Sequence, residues 1–511
     1  MGGALVNDGK RTTYFVAGLL ASSVIWASCS YSRSGYVEPH KEAGAGDPLQ
    51  IQMMVEQIEA TTPDMNNEYY TELQRRTGVR LDMQWIPSGD YPKHLDTALA
   101  SGNLPEVLSY DTPSNPTLIK GLKKGLFWNL TPLLGDLSEY PNLKANATRG
   151  VFNFVKYKAE VYAVPRSRSW IDKGIKIRKD WLDKLQIPLP RTLDEYADAL
   201  KRMVDEDPDG NGKADTIGLV DPPFTESFMG AFGLSTPTYN EEGGLIRDLL
   251  TPQAIELVGW FHGLYKEGVL AKSYPLIKRS YAQELLQKGK VASLSYSIYY
   301  DYKWQQEIQA SQKGAELITL PIIQGPYGNT AYLQKGYTGA FYISKKVPEA
   351  KVKRILAYFD QTASKELTHF AYYGLEGVHH TLENNEPRLT ELGRKQMSVT
   401  TLQPLATGYE PWSKVHNWAA PKAYNDAKKS GVAMYEVEGK QNPFDWLASD
   451  TWSEIWPRYK DEFDSKVLAA VTGAISMEQF GAYVTELRNN GEMKKAFLEF
   501  SEALQISPAV K

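Results

Sequence analysis

Between residues 49 and 110 the chain alternates two hydrophobic periods, and that alternation restricts the fold more than any other feature. Leu49, Ile51, Met53 and Val55 recur at every second position, and so do Val79, Leu81, Met83 and Trp85. A period of two puts such side chains on one face of an extended strand. The segments around Tyr69 to Arg76 and Tyr91 to Ala100 read as helices, and Glu106 to Tyr110 supplies a third strand. This β-α-β-α-β order predicts a parallel, doubly wound sheet, because each helix returns the chain to the end where the next strand starts. Open parallel sheets bind ligands beyond the carboxyl ends of their strands. Glu56 to Asp64, Pro87 to Tyr91 and Asp111 to Asn115 leave those ends and are the expected cleft loops.

A chain of 511 residues with 42% hydrophobic content is expected to form two or three domains with large cores. Its formal charge of −4, with no long charge run, gives no basis for nucleic-acid binding. The 31 Tyr and 12 Trp suit a protein that stacks rings on sugar faces, with core packing the alternative at each position. The sole cysteine, Cys29, follows Lys10, Arg11 and an apolar run from Tyr14 to Trp26. That charged-then-apolar order is the pattern of a secretory signal, and the run is short for a membrane span. Trp26-Ala27-Ser28-Cys29 resembles a bacterial lipobox, with Trp26 where the pattern prefers Leu. Ser30 to Asp47 then reads as a polar tether. With Cys29 lipidated, no disulfide is available to the exported domain.

No G-x-S-x-G elbow, H-E-x-x-H helix or Walker loop is present. His379 and His380 are adjacent, poor geometry for two ligands of one metal, and are expected to be structural or surface residues. Val161 to Trp170, VYAVPRSRSW, reads as a strand stopped by Pro165, a natural crossover between lobes. Asp180 is placed to cap a short helix, and Thr192 with Glu195 to form a capping box for the next. After that helix come Asp207, Asp209, Asn211 and Asp215, with Gly210 and Gly212 between them. Oxygen ligands at every second position, with the carbonyl of Lys213, can converge on one Ca²⁺. Gly218 stands where an EF-hand needs its bidentate Glu, so the loop is EF-like only, and a metal-free helix exit is the alternative.

RKDWLDKLQIPLPRTLDEYADAL from Arg178, the loop DPDGNGKADTIGL from Asp207, LYKEGVL from Leu264, YYGLEGVHH from Tyr372 and the lipobox at Cys29 together carry a family likeness. The chain resembles the extracellular solute-binding lipoproteins of ABC importers, family 1 type, in the oligosaccharide-binding branch that includes alginate-binding proteins and LipO. The resemblance implies a two-lobed α/β periplasmic-binding-protein-like fold, with doubly wound sheets joined by a hinge and a sugar held between the lobes. It implies a structural Ca²⁺ on Asp207, Asp209, Asn211, Lys213 by its carbonyl, and Asp215, with Thr216 where an acidic ligand can occur.

The expected organisation is a signal peptide at 1–29, a tether at 30–47, an N-terminal lobe from 48–164 and 338–405, and a C-terminal lobe from 165–337 and 406–511. The expected function is binding without catalysis: an oligosaccharide receptor for permease subunits, monomeric, anchored by lipid at the outer face of a bacterial membrane. A secreted carbohydrate-active enzyme on a similar frame is the alternative, since a glycosidase needs two carboxylates and 61 acidic residues always provide pairs. Expected cleft residues are Glu56, Gln57, Tyr110, Asp111, Arg166, Trp170, Tyr296, Tyr300 and Trp412. Arg166 and Arg168 either pair with uronic-acid carboxylates or hold salt bridges at the hinge.

Overall fold

The computed structural model describes residues 48–506, apart from 59–60, 111–115, 275–276, 278, 384–385, 399, 409–416 and 418–419. Cys29 with its flanking segments, Asp111 and Trp412 lie outside the described residues. The principal strands are β1 (Leu49–Gln57), β2 (Val79–Pro87), β3 (Val107–Tyr110), β4 (Ala163–Ser167), β5 (Lys173–Arg178), β6 (Ile217–Leu219), β7 (Val291–Ser297), β8 (Leu317–Thr319) and β9 (Tyr337–Ile343). They form two sheets, ordered β2-β1-β3-β9-β4 and β8-β5-β7-β6.

The predicted alternation folds as expected: β1 pairs in parallel with β2 and β3, and helices α1 (Glu68–Thr77) and α2 (Tyr91–Ser101) make the crossovers. Two strands of the same sheet are not foreseen by that local pattern. β9, arriving some 230 residues downstream of β3, runs antiparallel to both β3 and β4. Pro165 does not stop β4, which continues to Ser167. β4 lies at the edge of the sheet, where a residue without N–H leaves no ladder bond unmade.

Each sheet has its own core. Ile51, Met53 and Val55 of β1 are fully buried, and Phe341 of β9 stacks on Phe359 at 4.3 Å. Around the second sheet, Ile175 and Ile177 pack with Trp181, Leu200, Phe228 and Phe261. The late aromatics belong here: Trp452 stacks on Trp456 at 4.5 Å, and Phe444 meets Phe500 edge-on. In α3 (Leu193–Asp205), Leu193, Tyr196, Leu200 and Met203 form the buried stripe that its spacing predicts. Thr192 caps it, but the Glu195 carboxylate accepts from Arg191 N at 2.7 Å, so only half of the expected capping box forms. Asp180 caps no helix; it pairs with Arg178 at 2.6 Å. Among the described residues, no helix is long and apolar enough to cross a membrane.

Candidate functional site

The antiparallel register decides where the chain crosses between sheets. Ala340 faces Tyr110 and Tyr337 faces Ser167, so β4 leaves and β9 enters at the carboxyl ends of the parallel strands. The two crossing segments are tied together, with Arg168 N donating to Gly336 O and Gln334 N to Trp170 O, both at 2.7 Å. A cavity of about 630 Å³ opens beside them. Glu56 of β1, Ser88 after β2, Tyr110 of β3 and Arg166 of β4 line it, together with Arg168, Asp172, Tyr299 and Lys335 from the segments that cross between the sheets or abut them.

Two guanidinium groups dominate its electrostatics. Arg166 is 3% exposed and Arg168 6%. Arg166 Nη1 donates to Ser109 Oγ at 3.3 Å and to the Gln403 amide oxygen; Arg168 Nη1 donates to Thr407 Oγ1 at 2.6 Å and to Ser167 O at 2.7 Å. Burial, then the neighbouring Arg168 charge, pulls the Arg166 pKa well below the usual arginine range. Gly339 holds φ at +80°, a conformation that favours glycine, and its backbone passes beside Ser109 and Arg166. Asp172 is paired with Lys173 at 2.8 Å. The arrangement offers hydroxyl, amide, guanidinium and carboxylate groups beside Tyr110 and Tyr299, a surface suited to holding a polar, ring-bearing ligand.

Of the residues expected in a cleft, the structure brings Glu56, Tyr110 and Arg166 together in this cavity. Gln57 is buried behind it, its amide oxygen accepting from Thr62 Oγ1 at 2.9 Å. Trp170 is core: its ring lies under Gly336, where a Cβ would fall 2.5 Å from the ring. Tyr296 and Tyr300 pack with Trp304, and Tyr296 lines a different cavity of about 320 Å³ with Asp221 and Tyr274. From the same tyrosine burst it is Tyr299 that reaches the larger cavity, because the turn Ile298–Tyr300 rotates it inward. A period of two from Arg166 points to Arg168, whereas Ser109 and Gln403 are placed there by tertiary contacts alone. His379 and His380 are buried and bonded to Gln396 and to the Tyr373 carbonyl, a structural role.

The acidic loop folds around Asn211. Its amide donates to Asp209 Oδ2 at 2.6 Å and to Asp215 Oδ1 at 3.0 Å, and Gly212 N donates to Asp207 Oδ2 at 2.8 Å. Lys290 Nζ lies 2.8 Å from Asp215 and 3.6 Å from Asp209. Among the described residues no three acidic, histidine or cysteine side chains are gathered as a metal cage. The donor chemistry nonetheless suits a hard cation, Gly210 and Gly212 take the positive φ that a wrapped loop needs, and the buried Thr216 Oγ1 has no hydrogen-bond partner.

A family model described as bacterial extracellular solute-binding protein matches residues 58–364. The chain is 28% identical over 453 residues to the polygalacturonan/rhamnogalacturonan-binding protein YtcQ of Bacillus subtilis, covering 85% of this chain and 87% of that one. It is 28% identical over 377 residues to lipoprotein LipO of the same organism, covering 71% and 73%. It shares its fold, with a TM-score of 0.61 at 17% identity over 89% of this chain and 99% of the other, with the Streptococcus pneumoniae ABC-transporter substrate binding protein FusA in complex with kestose. FusA has also been solved as an EF-hand mutant in complex with fructo-nystose.

Proposed function

The chain belongs to the bacterial extracellular solute-binding protein family, and on that premise we propose that it captures an oligosaccharide at the ends of β1 to β3 and passes it to the permease subunits of an ABC importer. One observation carries this reading: the 630 Å³ cavity is lined both by the carboxyl ends of the parallel strands and by the segments that cross to the second sheet. A ligand there touches both halves, so its differential affinity shifts the balance between open and closed forms. Hydroxyl groups of the sugar find Ser109, Gln334 and Gln403, and ring faces find Tyr110 and Tyr299.

The lobes are taken as 48–164 with 338–405 and 165–337 with 406–511, Cys29 as the lipidated anchor at the outer face of the membrane, and the protein as a monomer that binds without bond cleavage. The names of YtcQ, LipO and FusA support the carbohydrate, lipoprotein and importer parts of this reading. In the loop, Asp207, Asp209, Asn211, Asp215, the Lys213 carbonyl and Thr216 would hold Ca²⁺, which neutralises the carboxylates when bound and has no part in ligand capture. The test is titration calorimetry of the soluble chain against a panel of plant and bacterial oligosaccharides, with an assay for new reducing ends run alongside. Saturable binding with a flat reducing-end signal is expected. Release of reducing ends would replace the receptor by an enzyme.

A further inference from the structure

A second cavity, of about 470 Å³, shares no lining residue with the first. The chain alternates between the two: Asp172 and Tyr299 line the larger cavity, while their neighbours Ile171 and Ile298 line this one. Its wall is made by Ile318, Leu320 and Ile322 and by Ala427, Gly431 and Met434, which share one face of the helix Lys422–Glu438. Leu189 and Met434, both in the lining, are 39% and 48% exposed, so the apolar surface continues to the outside.

The lining is charged at one place. Asp301 accepts from Thr319 Oγ1 and from Lys428, all three lining the cavity, and it is also the partner of Lys176 of β5. Lys176 and Asp301 are enclosed, whereas Lys428 keeps 10% of its side chain exposed. Among the described residues neither lysine has a second carboxylate within ion-pair distance, so two amines share one acid. Asp172 acts on Lys176 from farther off and is itself paired with Lys173 at 2.8 Å. An excess of positive charge therefore borders an apolar cavity.

A saccharide does not suit such a lining, because its hydroxyl groups would lie against isoleucine and leucine side chains without hydrogen-bond partners. We infer that this cavity binds a small amphipathic carboxylate, a medium-chain fatty acid or an arylalkanoate, with its apolar body on the helix Lys422–Glu438 and its carboxylate on Lys428. The incoming acid takes Lys428 and leaves Asp301 to Lys176, so that each charge has one partner. Burial disfavours the charged form of Lys428, and a carboxylate beside it restores that form. The apolar body removes Leu189 and Met434 from water, which favours binding further.

The test titrates the protein with octanoate and phenylbutyrate, and with octanol and phenylbutanol as neutral counterparts, by calorimetry. At least one acid is expected to saturate a single site per chain and to bind roughly tenfold or more tightly than its alcohol, the ratio of a charge-assisted to a neutral hydrogen bond. Lys428→Met is expected to bring acid and alcohol to equal affinity. Gly431 lines the cavity, and a Cβ added there meets no atom within 4 Å, so the side chain of Gly431→Leu enters the cavity and is expected to abolish binding of both. Equal affinity of acid and alcohol in the wild type overturns the anionic head group. Saturation that survives Gly431→Leu overturns the site, and an acid preference that survives Lys428→Met overturns the role of the lysine. If neither acid saturates a site, the inference fails outright. The wild-type comparison needs no variant, so a variant that does not fold leaves the test intact. The saccharide reading of the larger cavity stands or falls separately, since the two cavities have no lining residue in common.

Discussion

Lys176 of β5 and Lys428 share one carboxylate, Asp301, which also accepts from Thr319 Oγ1; Lys176 and Asp301 are buried, and Lys428 and Asp301 line the cavity of about 470 Å³. Burial lowers both lysines, Lys428 to about 7. A lysine whose folded pKa is depressed favours the native state most above its unfolded pKa. As pH falls from there through about 7, the unfolded chain takes up the proton first and native stability declines. Lys428→Met is therefore expected to raise stability at about pH 7.5, by roughly 1 kcal/mol, with Lys176 left to pair Asp301. Asp301→Asn removes the carboxylate that both lysines share and should cost about 3–5 kcal/mol in urea unfolding. Asp445 behaves oppositely in sign of charge: burial raises its carboxyl to about 6, with the Tyr332 hydroxyl donating at 2.9 Å. Because the folded form holds the proton more tightly, this acid weakens the native state as pH rises above the unfolded carboxylate pKa, and the loss is complete above about 6. Asp445→Asn should thus stabilise at about pH 7.5 and have little effect at about pH 4. A thermal-melt gain of equal size at both pH values would contradict this.

The loop from Asp207 to Thr216 is the element whose chemistry was most legible and whose state was least so. Alternating oxygens, two positive-φ glycines and the family likeness all point to calcium, while the folded loop gives its carboxylates to the Asn211 amide and to Lys290, a lysine 75 positions beyond Asp215. Nothing in the local spacing announces Lys290. Added calcium is expected to raise the melting temperature and chelator to reverse it, with roughly 2.7 kcal/mol gained at a hundredfold excess over Kd. Lys290→Ala removes a competing cation and should tighten calcium binding; a melting temperature indifferent to calcium in both proteins would end the calcium reading. Caps tell a similar story at smaller scale. The Thr192 and Glu195 pattern forms half a box, because Arg191 N competes for the glutamate, whereas Ser476 and Gln479 complete both bonds at the start of Met477–Asn489. Ser476→Ala is expected to cost about 1 kcal/mol in chemical denaturation.

At the scale of the molecule, two sheets with separate cores are joined by segments that cross at the carboxyl ends of β1 to β3. On the proposed function, ligand binding draws the two halves together. Small-angle scattering should then show a smaller radius of gyration with a bound oligosaccharide than without, in the same buffer. An unchanged radius at saturating ligand would mean that the cavity binds without closure.

The local pattern by itself determined the parallel β1 to β3 unit, its crossover helices, the end of the sheet at which the cavity opens and the oxygen-rich loop, because hydrophobic period and turn chemistry act over a few residues. It also made Arg166 and Arg168 candidates for a carboxylate. The tertiary structure decided what spacing cannot encode: that β9 enters between β3 and β4, that Trp170 packs against Gly336 while Tyr299 reaches the cavity, and that Gln403 meets Arg166. A buried guanidinium and a solvated one look alike in one dimension. Only the surrounding atoms show which N–H groups are already spent, and at Arg166 and Arg168 two enclosed ones have no hydrogen-bond partner.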